Sequence, residues 1–203
     1  MNKAALKKSI DAIAANDNEV KKALKDIGYP QPRNRPAGFE TLVNIIVSQQ
    51  LSVSAANAIM QRVRDCFSEM TAQAVIRVHK KTLRNAGLSE RKVDYVKHLA
   101  KQIKSGKLDL QQLQYIDDKD AIEVITQLHG FGVWSAEIYL MFSLDRRDIF
   151  PAGDLALQLA LQKLKQLPTK PTPKAAEKLI NHWSPYRSAG SLFLWHYYQG
   201  APT

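Results

Sequence analysis

Two groups of residues in this chain have the types and spacing to do chemistry. The first is Leu128-His129-Gly130-Phe131-Gly132, followed by Val133-Trp134-Ser135-Ala136. Two glycines one residue apart allow a sharp turn with positive φ and leave backbone N–H groups uncovered at the start of the next helix, which makes a ready anion site. The second is Asp148-Ile149-Phe150-Pro151-Ala152-Gly153-Asp154, which puts a lone carboxylate, Asp154, at the start of another helix. There it can cap the helix. It can also stabilise positive charge developing on a substrate in a water-poor site, and the two roles are compatible. A bare Gly-x-Gly turn is equally an ordinary connection between helices, so the weight rests on the two groups together.

Both groups need helices to position them. Ala121, Ile122, Ile125 and Leu128 share one helical face upstream of the hairpin, with Asp118 as the expected N-cap. Further helices are expected at about 4–14, 19–27, 39–49, 52–66 from a Ser52 N-cap, 71–77, 80–86, 89–104, 133–143, 154–165, 173–182 and 186–198. Gly87 and Gly106 are expected stops, and Pro173 opens its helix. Phe39, Leu42, Val43, Ile45, Ile46 and Val47 are too apolar for a surface helix. The segment Gly28 to Pro36 reads as an irregular, proline-stiffened connection, and 167–173 as a surface one. With no strand pattern and no repeat, the expectation is an all-α architecture of ten to eleven helices.

The 203 residues can form one large domain or two small lobes, and 45% hydrophobic content is ample for a core. Lys and Arg number 29 against 19 Asp and Glu, a formal balance of +10 that favours a polyanionic partner, nucleic acid first. Individual lysines such as Lys7, Lys80 and Lys163 read simply as solvated helix faces. The phosphate grip, the carboxylate and the charge together point to an enzyme acting on DNA. Cys66 is alone, which excludes an internal disulfide, a multi-cysteine zinc site and an iron–sulfur cluster; it is expected as a small buried residue at a helix end. The five histidines show no metal-ligand spacing and read as structural or surface residues. No apolar run approaches the roughly 18 residues of a membrane span. The basic N-terminus lacks an apolar export core, so the expected location is the cytoplasm and nucleoid of a bacterium or the nucleus of a eukaryote.

An ordered set of motifs then carries a resemblance: Gly38-Phe39-Glu40-Thr41-Leu42, Ser48-Gln49-Gln50-Leu51-Ser52, residues 128–136, Asp148-Ile149-Phe150-Pro151 with Asp154, and Pro185-Tyr186-Arg187-Ser188. Over about residues 36–198 the chain resembles the DNA-3-methyladenine glycosylase II type of the helix-hairpin-helix DNA glycosylase superfamily, in its compact form without an extra N-terminal β domain. The resemblance implies two helical lobes, about 51–125 and about 1–50 plus 126–203, with an active-site cleft between them that Asp154 faces. It implies a monofunctional enzyme of base excision repair that flips an alkylated purine out of duplex DNA and hydrolyses its N-glycosidic bond.

Asp154 matches the catalytic aspartate of the family. Trp134 stands where bifunctional relatives carry a Schiff-base lysine, and tryptophan offers no nucleophile. Trp134 and Trp195 match aromatic residues of the base pocket, where cation–π attraction favours a cationic alkylated purine; Trp195, on an apolar helix, reads equally as core. Gln50 or Leu51 matches the side chain wedged into the duplex. The hairpin at Gly130, Phe131, Gly132 and Trp134 would hold a phosphate, and the carbonyls of Leu128 and Phe131 a monovalent cation, the sole non-protein group implied and not a chemical cofactor. The partner is double-stranded DNA containing alkylated bases, no membrane is implied, and a monomer is expected.

The chain also departs from the family pattern. His129 and Phe131 replace the usual proline and isoleucine or valine, Gly153 stands where many members carry a second acid, and Ile138 and the pocket residue Leu155 fall where some have tyrosines. A smaller, less aromatic pocket implies preference for 3-methyladenine and 7-methylguanine, with ethenoadenine and hypoxanthine weak. The alternatives are a helix-hairpin-helix DNA-binding module without catalysis and a glycosylase/lyase for oxidised bases.

Overall fold

The computed structural model describes residues 1–199, and among them there are twelve α-helices, two 3-10 turns and no strand. The helices are α1 (Lys3–Asn16), α2 (Asn18–Ile27), α3 (Phe39–Ser48), α4 (Val53–Arg64), α5 (Ala72–Arg77), α6 (Lys80–Asn85), α7 (Glu90–Lys104), α8 (Asp118–Thr126), α9 (Val133–Ser143), α10 (Leu155–Leu164), α11 (Pro173–Leu179) and α12 (Arg187–Tyr198). The 3-10 turns are Gln112–Gln114 and Asn181–Trp183. The all-α expectation holds. The count of twelve exceeds the expected ten to eleven, and the six-residue α5 and α6 are separate helices as expected, divided by extended backbone at Val78 and His79.

Local sequence explains where these helices begin. Ser52, Thr71, Ser89 and Thr172 each accept a backbone N–H three residues on, which satisfies one of the unpaired donors of a helix start. At α8 the cap is Asp117 and not Asp118: Asp117 Oδ1 accepts from Asp120 N at 2.8 Å, and the helix starts one residue earlier than expected. Either of two adjacent aspartates can cap, and the extended backbone of Asp117 selects it. Gly87 and Gly106 do follow α6 and α7 with positive φ.

The chain divides into two compact units, Met1–Asn34 with the described residues from Leu140 on, and Arg35–Tyr139. The boundaries thus fall at 34/35 and 139/140, where 50/51 and 125/126 were expected, because α3 packs on α4 and α7 within the second unit. Residues 200–203 of the expected second lobe lie outside the described residues.

In the first unit α12 is the central element, with every residue from Ser188 to Trp195 buried against α10, α1 and α2. Its small residues serve close packing: a Cβ on Gly190 would lie 2.4 Å from the Trp183 ring. Asp17, whose side chain is fully buried, ties this unit together. One oxygen caps α2 through Val20 N at 3.1 Å, and the other accepts from Lys165 Nζ at 2.7 Å, Trp183 Nε1 at 2.7 Å and His182 Nε2 at 2.9 Å. Burial pushes this carboxyl up, but those hydrogen bonds outweigh it and hold Asp17 well below the usual carboxylate range.

In the second unit α7 is central, turning Val93, Val96, Leu99 and Ala100 inward at helical spacing against α5, α3 and α6. Cys66 is half-buried just past α4, not buried as expected; its Sγ donates to Arg62 O at 3.2 Å, and burial, then Asp65, push its thiol up. No helix of the described residues is long and apolar enough to cross a membrane. Nor do those residues hold a group of three His, Cys, Asp or Glu side chains suited to a metal ion.

Candidate active site

Asp154 lies in the first unit, at the end of a loop that backbone hydrogen bonds tighten: Ala152 N donates to Phe150 O at 2.7 Å and Asp154 N to Pro151 O at 2.9 Å. The side chain is half-buried and caps α10, Oδ1 accepting from Leu157 N at 2.9 Å. The same oxygen accepts from Trp195 Nε1 at 3.2 Å, a hydrogen bond across 41 residues of sequence. The carboxylate is therefore oriented from two sides, by a helix start and by an indole. Leu155, the next residue, is 60% exposed, and Gly153 is also exposed, so this helix start is open at the surface.

Trp195 itself is fully buried, with Phe142 tilted against it at 6.0 Å. Of the two readings open for it in the sequence, the structure places it in the core, and it adds the bond to Asp154. Behind the loop, Gln158 Nε2 donates to Ala152 O at 2.6 Å, and Lys170 Nζ donates to the Gln158 side-chain oxygen. The start of the loop is clamped by α12. Arg187 donates through Nε and Nη2 to the two oxygens of Asp148, both at 2.8 Å, and Ser184 Oγ adds 2.8 Å. Burial raises the Asp148 carboxyl, but Arg187 and Ser184 hold it below its ordinary value. Ser188 Oγ accepts from Ile149 N at 3.0 Å and donates to Arg146 O at 2.7 Å. The motifs Asp148-Ile149-Phe150-Pro151 and Pro185-Tyr186-Arg187-Ser188 are thus two halves of one clamp that fixes where Asp154 begins its helix.

The hairpin and the Gln49-Gln50-Leu51 loop, the expected wedge loop, lie in the second unit. Phe131 N closes the turn onto Leu128 O at 3.1 Å, and the Phe131 and Leu128 side chains are buried beneath it. Positive φ is needed at Gly130 alone, at +86°, where a Cβ would come within 2.2 Å of the Tyr95 ring. Gly132 has neither positive φ nor any neighbour within 4 Å of where a Cβ would stand. The expectation that both glycines serve the turn is corrected accordingly: Gly132 leaves open space at the start of α9, and its carbonyl accepts from Ala136 N at 3.1 Å. Val133 is 56% exposed, and Trp134, at the second position of α9, is half-buried. His129 packs edge-on to His98 at 3.6 Å between ring centres.

The wedge loop leaves α3 at Gln49. Gln50 is exposed with φ +57°, and Leu51 is 39% exposed. Gln49 Nε2 donates to Gly130 O at 2.7 Å, which joins this loop to the hairpin.

The family model described as HhH-GPD superfamily base excision DNA repair protein matches residues 43–185. The chain belongs to this superfamily. The matched segment contains the wedge loop, the hairpin and Asp154, while Arg187 and Trp195 follow it. The chain is 31% identical over 186 residues, 88% of its length and 82% of the other's, to DNA-3-methyladenine glycosylase 1 of Schizosaccharomyces pombe. It is similar in structure to the fission-yeast 3-methyladenine DNA glycosylase Mag1, solved in complex with abasic DNA, with TM-score 0.84 and 30% identity over 93% of this chain and 95% of that one. A DNA-3-methyladenine glycosidase from Bacillus halodurans matches with TM-score 0.85 and 33% identity over 94% of this chain and 88% of that one.

Several pairings within this site carry no local signal in the sequence. Asp148 and Arg187 stand 39 residues apart, Gln49 and Gly130 81 apart, and Asp154 and Trp195 41 apart. Lys92, Tyr95 and His98 did offer one: they recur at helical spacing on α7 beside its apolar positions.

Proposed function

We propose that this chain is a monofunctional DNA glycosylase of base excision repair that hydrolyses the N-glycosidic bond of 3-methyladenine and 7-methylguanine in duplex DNA. The single observation that carries this reading is the Asp154 carboxylate, oriented at an open helix start by Leu157 N and Trp195 Nε1 in a member of the HhH-GPD superfamily. The relatives named 3-methyladenine glycosylases support the substrate class.

Alkylation at N3 or N7 makes the purine cationic and a good leaving group. As the C1′–N bond breaks, the base departs with the electron pair and positive charge spreads over C1′ and the ring oxygen. A fixed carboxylate lowers the energy of that charge without reorganising. Water then adds to C1′, its proton passes to solvent, and an abasic sugar remains. No amine is needed, and α9, where the resemblance implies a lysine in lyases, holds Trp134 and contains no lysine. Leu155, exposed beside Asp154, offers surface to the flipped base, Trp195 acts through its bond to Asp154, and Gln50 or Leu51 fills the vacated stack.

Exposed amides at Gly132 and Val133 grip a phosphate of the lesion strand. The carbonyls of Leu128 and Phe131 are neutral oxygen donors of the kind that suits a large monovalent cation, and Leu128 O keeps a lone pair beyond its bond to Phe131 N. Such an ion would add positive charge beside the phosphate. The protein works as a monomer on DNA in the compartment that holds the genome.

The test is release of free bases from methylated duplex DNA by wild type and by Asp154→Asn, with strand breaks scored before and after alkali. Wild type is expected to release both methylpurines and to leave alkali-sensitive sites only, and the variant to be slower by about a hundredfold or more. Binding without release by wild type would overturn the catalytic reading. Nicking without alkali, with a borohydride-trapped DNA adduct, would overturn the monofunctional one.

A further inference from the structure

One face of α7 carries three half-buried polar or aromatic residues, Lys92, Tyr95 and His98, three positions apart. Each touches a part of the DNA-facing equipment. Lys92 Nζ donates to Val47 O at 2.7 Å and to Gln49 O at 2.8 Å, the carbonyls on either side of the C-terminus of α3. The Tyr95 ring fills the space under Gly130, and His98 meets His129. Gln49, whose carbonyl Lys92 holds, reaches with its side chain to Gly130 O. A closed circuit results, from α7 to the wedge loop, from the loop to the hairpin, and from the hairpin back to α7.

The residue after this anchor is the exposed Gln50 in the left-handed region, at φ +57°. A non-glycine residue holds such a conformation only where its surroundings over-determine it, and such positions collect at functional sites. Here the surroundings are the two carbonyls that Lys92 holds and the bond from Gln49 to Gly130. Burial lowers the Lys92 ammonium below its ordinary value, and the amine keeps enough protons for two carbonyl acceptors in either state.

We infer that Lys92 is a positioning residue for base flipping: it presets the Gln50-Leu51 wedge, and through Gln49 it fixes that wedge in register with the phosphate-gripping hairpin. Wedge and hairpin then engage DNA as one part, so the plug enters the duplex opposite a phosphate held at a set distance. The inference rests on the proposed function for the meaning of the wedge. It is distinct from a plain helix cap, and α7 supplies the comparison. Lys97 Nζ caps the end of α5 in the same way, donating to Val75 O at 2.8 Å, Ile76 O at 3.1 Å and Val78 O, carbonyls that belong to neither the wedge loop nor the hairpin.

The experiment uses the full chain and duplex DNA with 2-aminopurine beside a single 7-methylguanine. It reads the fluorescence rise on binding, single-turnover base release and the dissociation constant for undamaged duplex, in wild type, Lys92→Met, Lys92→Arg and Lys97→Met. Lys92→Met is expected to lose most of the fluorescence rise and about tenfold in release rate, the loss of a charged hydrogen bond. Its undamaged-duplex affinity should stay within about twofold of wild type, since phosphate contacts carry that binding. Lys92→Arg should restore most of both signals, and Lys97→Met should lower only the melting temperature. A wild-type rise retained by Lys92→Met, a release loss matched by equal loss of undamaged-duplex binding, the same effects in Lys97→Met, or no rise in wild type would each overturn the inference. If wild type raises the fluorescence but releases no base, the glycosylase reading fails, and the comparison of rises between wild type and Lys92→Met still decides the role of Lys92.

Discussion

Asp154 uses one oxygen for two structural bonds, to Leu157 N and to Trp195 Nε1, so the orientation of the carboxylate depends on a side chain from α12 as well as on its own helix. A charged hydrogen bond of this kind contributes roughly 1.5–3 kcal/mol. Trp195→Phe keeps the buried ring and deletes the donor. Single-turnover release from methylated DNA is expected to fall at least about tenfold, with DNA affinity unchanged, because the lost bond orients the carboxylate and grips no phosphate. Release at the wild-type rate would show that the α10 cap alone orients Asp154. The Asp154 motif was plain in the sequence because its residues are contiguous; the Trp195 donor was not, because a helical tryptophan in an apolar run reads the same whether or not its N–H finds a partner.

At the scale of elements, the hairpin assigns different work to its two glycines. Gly130→Ala meets both a positive φ and the Tyr95 ring, so it is expected to lower stability by roughly 2 kcal/mol and to disturb DNA binding with it. Gly132→Ala meets nothing, so the melting temperature should hold, while a methyl group in the open space before α9 should weaken DNA binding. Thermal melts read alongside binding isotherms for the two variants check this split, and a stability loss in Gly132→Ala would remove it. The same scale explains the helix boundaries. The Ser52 cap acts within three residues and was legible, whereas the choice of Asp117 over Asp118 turned on one residue's backbone.

At the scale of the whole molecule, folding stability carries a pH dependence that Asp17 sets for its unit. Its carboxyl is held well below its ordinary value in the folded chain, so the folded state binds fewer protons than the unfolded one in acid. The resulting stabilisation is complete above the unfolded carboxylate value of about 4 and fades as pH falls below it toward the folded value. Asp17→Asn removes the charge that Lys165 and His182 face and is expected to cost about 3 kcal/mol at neutral pH, with the deficit shrinking below about pH 4. Urea unfolding of wild type and variant across that range measures it, and a deficit that stays constant with pH would contradict the assignment.

By itself the sequence determined what depends on neighbours in the chain: helix periodicity, caps, the glycine turn, the Asp154 loop, the excess of basic charge and the ordered motifs of the HhH-GPD superfamily. It placed nearly every helix to within a few residues because those signals act over one or two turns. Only the tertiary structure decided which distant groups meet: Arg187 with Asp148, Trp195 with Asp154, Gln49 with Gly130, Lys92 with the end of α3, and α3 with the second unit. Such contacts form between side chains brought together by burial of the apolar helix faces, and that burial is non-directional. Periodicity therefore announces which face turns inward, and only the packed fold shows which polar group lies on the other side.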